Sequence, residues 1–283
     1  MTRGVCLCGT IRYELDEPLQ AMINCHCSMC RKFHGAPYAT YVAAPAAALR
    51  WLEGEEAIGT YRSSERGSRS YCRHCGAVLP MVLPGTDLAI APAGSLEDDP
   101  GIRPQAHIHV ASKAPWYAIN DSLPRHDGHP PELGGGMGVE RPHVEPRPGV
   151  VEGSCLCGGV AYEFHEPLRM YNCHCRRCRR ARSAAHTTNI FVNLDDFTFT
   201  RGRELVGDYK LPEARFFSVS FCRQCGGKVP RVSVERGFAV VPAGTLDTDP
   251  GMKPQAHIFV GSKAPWVEIA DDLPQFAEGP PPA

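Results

Sequence analysis

The chain has 283 residues, 43% of them hydrophobic and 22% charged, an ordinary composition for soluble globular protein and enough for about two domains. A formal net charge of -1 removes any global electrostatic case for nucleic acid or an anionic membrane. No apolar run reaches the roughly 20 residues that cross a bilayer, and the amino terminus lacks the apolar region of a secretory signal, so a cytoplasmic protein is expected.

In chain order, Gly4-Val5-Cys6-Leu7-Cys8-Gly9 places two thiols just ahead of residues 10–15, whose period-two alternation predicts a strand. Asn24-Cys25-His26-Cys27-Ser28-Met29-Cys30-Arg31 then packs three thiols together, and short helical turns are expected after Cys30 and over residues 43–51. Tyr71-Cys72-Arg73-His74-Cys75-Gly76 supplies a C-x-x-C-G turn, followed by strand-like runs at 87–91 and 107–110. Residues 127–149, rich in Pro and Gly, read as a linker. The whole series then recurs: Cys155 and Cys157, a strand at 161–164, the triplet Cys173, Cys175 and Cys178, a strand at 197–199, Cys222 and Cys225, and strands at 238–241 and 257–260. The expected organisation is two mainly β domains, 1–126 and 150–276, lying side by side with a loose tail at 277–283.

Fourteen cysteines in C-x-C and C-x-x-C clusters, in a chain of this size without a secretory signal, point to metal rather than to a disulfide framework. Each half holds seven, which divides into four and three. The C-x-x-C-G turn gives two ligands, and Cys6 and Cys8 are the pair left over if the triplet stays together. Closing Cys6, Cys8, Cys72 and Cys75 on one ion, and Cys155, Cys157, Cys222 and Cys225 on another, would staple distant segments. Spacing alone leaves open the exchange of one thiol. The triplets Cys25, Cys27, Cys30 and Cys173, Cys175, Cys178 would then each be one ligand short of a tetrahedron, as in catalytic zinc sites.

These motifs, with H-I and S-K-A-P-W-x-x-I-x-D further along each half, resemble the glutathione-dependent formaldehyde-activating (GFA) family over nearly the whole of both copies. The resemblance implies two Mss4-like β-tent domains. It also implies a structural zinc on each four-cysteine set, a second zinc on each triplet, and a carbon–sulfur lyase-like activity joining a small thiol such as glutathione to an aldehyde such as formaldehyde. Arg31 and Lys32, directly after the first triplet, are candidates to hold a carboxylate of the thiol substrate. A non-catalytic zinc-stabilised binding or scaffold module is the alternative.

Other residues carry plainer expectations. Arg176, Arg177, Arg179, Arg180 and Arg182 read as charge balance near thiolates rather than a nucleic-acid patch. His26 and His174 should face away from their flanking cysteines, and His107 and His257 should be hydrogen-bonded in the core. His34 reads as an exposed loop residue. Trp116 and Trp266 should anchor each domain's last segment on its own sheet. After the second triplet the Lys, the Phe and the Gly of the first are replaced by Arg180, Ala181 and Ser183, which makes the second pocket the more doubtful for thiol chemistry.

Overall fold

The computed structural model describes residues 1–16, 18–65, 67–130 and 144–280. Most of the expected linker, 131–143, and the end of the tail, 281–283, lie outside the described residues. Each half builds three small sheets. In the first, Thr2–Val5, Arg12–Leu15 and Leu49–Glu53 form one, and Ile58–Ser64 pairs with Gly67–Cys72 in another. The third has five strands in the order Ala106–Ile108, Ala21–Cys25, Ala39–Pro45, Leu88–Pro92, Met81–Val82. The second half repeats this plan around Pro167–Cys173 and Thr187–Asn193, with a third strand, Lys228–Val229, added to the smallest sheet. Buried and less buried residues alternate along Thr187–Asn193, as a sheet with one face on the core requires.

Two seven-residue helices, α1 (Ser28–His34) and α2 (Arg176–Arg182), are the α-helices among the described residues, and neither is long enough to cross a membrane. Each starts where a triplet cysteine acts as the cap: Cys27 Sγ accepts from Cys30 N at 3.4 Å and Cys175 Sγ from Cys178 N at 3.3 Å. Each ends on a left-handed residue, Gly35 at φ 63° and Ser183 at φ 52°. The turn therefore survives loss of the glycine. The strain at Ser183 is offset locally, since its hydroxyl donates to Val78 O at 2.9 Å. The helix begins earlier than the turns expected after Cys30, and residues 43–51 hold a 3-10 turn, Ala46–Ala48, between two strands.

No sheet among the described residues crosses from one half to the other, yet the cores do. Trp266 packs with Tyr13, Leu15, Met22 and Val42 of the first half, and Trp116 with Tyr162, Phe164, Met170 and Ile190 of the second. The expectation that each tryptophan anchors its own sheet is corrected: each is exchanged into the other half's core. Burial of about 200 Å² of indole stabilises by up to roughly 5 kcal/mol, so the exchange binds the halves strongly. The seam is close. A Cβ on Gly244 would lie 2.3 Å from Ala36 O and one on Gly94 2.2 Å from Ala184 N, so the 3-10 turns Ala243–Thr245 and Ala93–Ser95 meet the opposing helix ends only as glycine.

Candidate metal centres

Cys6 and Cys8 lie in the turn leaving the first strand, and Cys72 and Cys75 in the turn leaving Gly67–Cys72. That turn is closed by Gly76 N donating to Cys72 O at 2.8 Å, with Gly76 at φ 68°. The four sulfurs lie within 4.8 Å of one another, as do those of Cys155, Cys157, Cys222 and Cys225. Individual Sγ separations are 3.4 and 3.7 Å in the first set and 3.4 and 3.8 Å in the second. A tetrahedron with metal–sulfur bonds of about 2.3 Å has edges of about 3.8 Å, so both sets fit one tetrahedral ion. A hydrogen bond from Cys6 drives the Cys8 thiol far down, while burial and the neighbouring sulfurs push Cys75 well up. Sulfurs this crowded share charge evenly only around a cation.

The triplets are equally compact, with three sulfurs within 4.8 Å in each and no fourth Cys, His, Asp or Glu ligand joining either set among the described residues. All fourteen cysteines are free thiols. Cys25 and Cys173 end strands, while the other two cysteines of each triplet cap and open a helix. The division into four, three, four and three is thus the one the structure brings together. The triplets differ in access: Cys25, Cys27 and Cys30 are 7%, 6% and 6% exposed, whereas Cys175 and Cys178 are half-buried.

Around the first triplet, Arg69 donates from both Nη atoms to Cys30 Sγ, at 3.6 and 3.7 Å, and stacks over Phe33. Lys32 does not face a substrate. It is 2% exposed and spans the seam, with Nζ 2.5 Å from Asp247 Oδ1 and donating to Ser154 Oγ at 2.8 Å and Ser154 O at 2.9 Å. This corrects its reading as a substrate contact; burial and a carboxylate partner account for its charge. Arg31, half-buried on the same helix, keeps that reading as an expectation only. His34 is buried rather than exposed, bonded to Arg182 O and Tyr41 Oη, both at 2.8 Å. The arginines of α2 do not form one face, since Arg176 and Arg177 are exposed, Arg180 reaches Glu97 at 3.5 Å, and Arg182 is buried.

His26 and His174 point away from the sulfurs into buried relays. His26 Nε2 meets His107 Nδ1 at 2.7 Å, and His107 Nε2 lies 3.0 Å from Asp121; His174, His257 and Asp271 repeat the chain with 2.7 and 3.0 Å. Burial holds His26 neutral, its pKa lowered to about 3. The relays were not read from the sequence, although Asp121 and Asp271 close its repeated S-K-A-P-W-x-x-I-x-D motif. Arg69 had no repeat to mark it, because Val219 takes its place in the second half.

Residues 1–112 and 150–262 each match the family profile described as "Glutathione-dependent formaldehyde-activating enzyme". The chain belongs to this family. Its two GFA copies account for both sets of clusters. A Halomonas elongata protein named "Putative glutathione-dependent formaldehyde-activating enzyme" is 28% identical over 128 residues, 42% of this chain and 81% of its own length. An uncharacterized lyase of Schizosaccharomyces pombe is 30% identical over 78 residues, 27% of this chain and 53% of its own. A solved Rhodobacter sphaeroides protein is 26% identical, covering 36% of this GFA chain and 91% of its own, with a TM-score of 0.30.

Proposed function

We propose that this GFA chain is a zinc-dependent carbon–sulfur lyase-like enzyme that makes or breaks the adduct of a small thiol and an aldehyde. The observation that carries this is the three-sulfur centre that no fourth Cys, His, Asp or Glu joins among the described residues, beside a four-sulfur centre of the same chain. Cys25, Cys27 and Cys30, or Cys173, Cys175 and Cys178, would hold the ion. When bound, the ion supplies a positive charge that lowers the pKa of an incoming thiol from about 8.5 toward the thiolate form at neutral pH.

In the addition, the thiol sulfur forms a bond to the carbonyl carbon, the carbonyl π bond breaks onto oxygen, and the proton from sulfur ends on that oxygen. The chain's own residues set the stage. The His26–His107–Asp121 relay, and its counterpart, fix the peptide between the first two triplet cysteines. Arg69 offsets sulfur charge at Cys30. Fourteen free thiols suit a reducing, cytoplasmic setting.

The test is exchange-detected NMR of glutathione with formaldehyde, with and without zinc-loaded protein. Acceleration lost in both Cys27→Ser and Cys175→Ser combined, with fold retained, supports the reading. Absence of acceleration with any of several thiols supports the non-catalytic scaffold module, a reading that the near-complete burial of the first triplet favours for that half.

A further inference from the structure

The two triplets sit in opposite surroundings, although the scaffold around them is the same. The first is walled by Met29, Phe33, Tyr41 and Met81, all buried in one cluster with its cysteines. In the second half the matching positions, fixed by the shared strand registers and helix caps, are Arg177, Ala181, Asn189 and Arg231. Bulk apolar cover has been exchanged for small, polar and cationic side chains, and Cys175 and Cys178 are half-buried residues where Cys27 and Cys30 are buried ones.

Polar capacity is also left unused there. In the first half His34 and Tyr41 satisfy each other. Their counterparts do not: Arg182, only 7% exposed, has Nη1 buried without a hydrogen-bond partner, and Asn189 Oδ1 is likewise buried without one, its Nδ2 donating to Thr187 Oγ1 at 3.0 Å. A buried guanidinium N–H without an acceptor costs on the order of 1–3 kcal/mol, a cost that an incoming anion removes. Charge follows the same asymmetry. Three thiolates and a divalent ion would carry one negative charge, which Arg69 answers from within the first half. Beside the second triplet stand two guanidiniums, Arg182 on the helix that its cysteines open and Arg231 at the position Met81 holds beside the first. An extra negative charge is therefore accommodated beside the second triplet and not beside the first.

We propose that the second triplet is the working centre and is built for a small thiol bearing a carboxylate, held by Arg182 and Arg231, with Asn189 accepting from an amide N–H of the same molecule. The first triplet, walled by apolar side chains, is shut off from substrate. This rests on the proposed thiol chemistry and reverses the expectation, drawn from the residues after each triplet, that the second pocket is the doubtful one.

The test has two arms on the zinc-loaded full chain. In the first, alkylation by neutral iodoacetamide and by anionic iodoacetate is followed cysteine by cysteine through peptide mass mapping. Cys175 and Cys178 should react about tenfold or more faster than Cys25, Cys27 and Cys30. Their preference for the anionic reagent, relative to free glutathione, should fall about tenfold in Arg182→Met and in Arg231→Met. Arg231 is half-buried at the end of an edge strand, so its variant keeps the test alive if Arg182→Met misfolds. Equal rates at the two triplets, or an unchanged reagent preference in Arg231→Met, would overturn the proposal.

In the second arm, glutathione and the carboxylate-free 2-mercaptoethanol are titrated by calorimetry. Tighter binding of glutathione, lost in Arg231→Met, supports the proposal. Equal binding of the two removes carboxylate recognition but leaves the thiol chemistry standing. Binding of neither, with the labelling difference intact, removes the thiol chemistry itself.

Discussion

Replacing Lys32 by Met should cost far more stability than replacing its counterpart, Arg180, although both residues bridge the same pseudo-symmetric seam. Lys32 and Asp247 are 2% and 16% exposed at 2.5 Å, and Ser154 supplies two further acceptors to the ammonium. Removal of one member leaves a largely buried carboxylate without its counter-charge, a loss of about 3–5 kcal/mol. Arg180 and Glu97 are 19% and 27% exposed at 3.5 Å, and such screened pairs contribute about 0–1 kcal/mol. Equilibrium urea denaturation of the zinc-loaded chain, followed by near-ultraviolet circular dichroism, measures both. The double variant Lys32→Met with Asp247→Leu should regain much of the loss, because an apolar pair replaces a buried ionic one at little net cost. A Lys32→Met chain no less stable than Arg180→Met would refute the view that this buried pair fastens the halves.

Three further outcomes follow from the same geometry. Gly94→Ala and Gly244→Ala each drive a Cβ into opposing backbone at 2.2–2.3 Å, so each should lower stability by about 2–3 kcal/mol or more in the same denaturation assay. Cys75→Ser breaks a four-sulfur set that ties the first strand to a distant turn and should unfold the chain, whereas Cys27→Ser should leave circular dichroism unchanged; equal loss of fold in both would contradict the division into four-sulfur clasps and three-sulfur centres. His186 is 5% exposed with neither ring nitrogen hydrogen-bonded, and burial lowers its pKa to about 3. Its folded pKa lies below the unfolded value of about 6.5, so the unfolded chain takes the proton first and stability is lost as pH falls from about 6.5 toward 3. His186→Phe should flatten stability against pH by about 1.4 kcal/mol per unit in that window, and an unchanged slope would show that the ring is not held neutral.

What the sequence disclosed was whatever repeats or obeys a local spacing. Cysteine pairs at fixed separation, the twofold recurrence and short alternating runs led to two mainly β copies with four thiol clusters. What it hid depends on which half a side chain meets. Lys32 beside a triplet reads as a substrate contact until Asp247 is placed against it, and Trp116 reads as a local anchor until the second half's core closes over it. Likewise Ser183 in place of a glycine counted against the second pocket, yet it holds the same left-handed conformation, with its hydroxyl bonded to Val78 O across the seam. The access of the triplets was misjudged for a similar reason. The residues after each triplet were compared along one strand of sequence, whereas Tyr41, Arg69 and Met81, which close the first, come from three other strands.

The most direct test is the metal content of freshly purified chain together with X-ray absorption at the metal edge. The expected result is four zinc ions per chain, half of them surrounded by four sulfurs and half by three sulfurs and one lighter atom. Two ions per chain, each with four sulfurs only, would contradict the three-sulfur metal centres on which the chemistry depends.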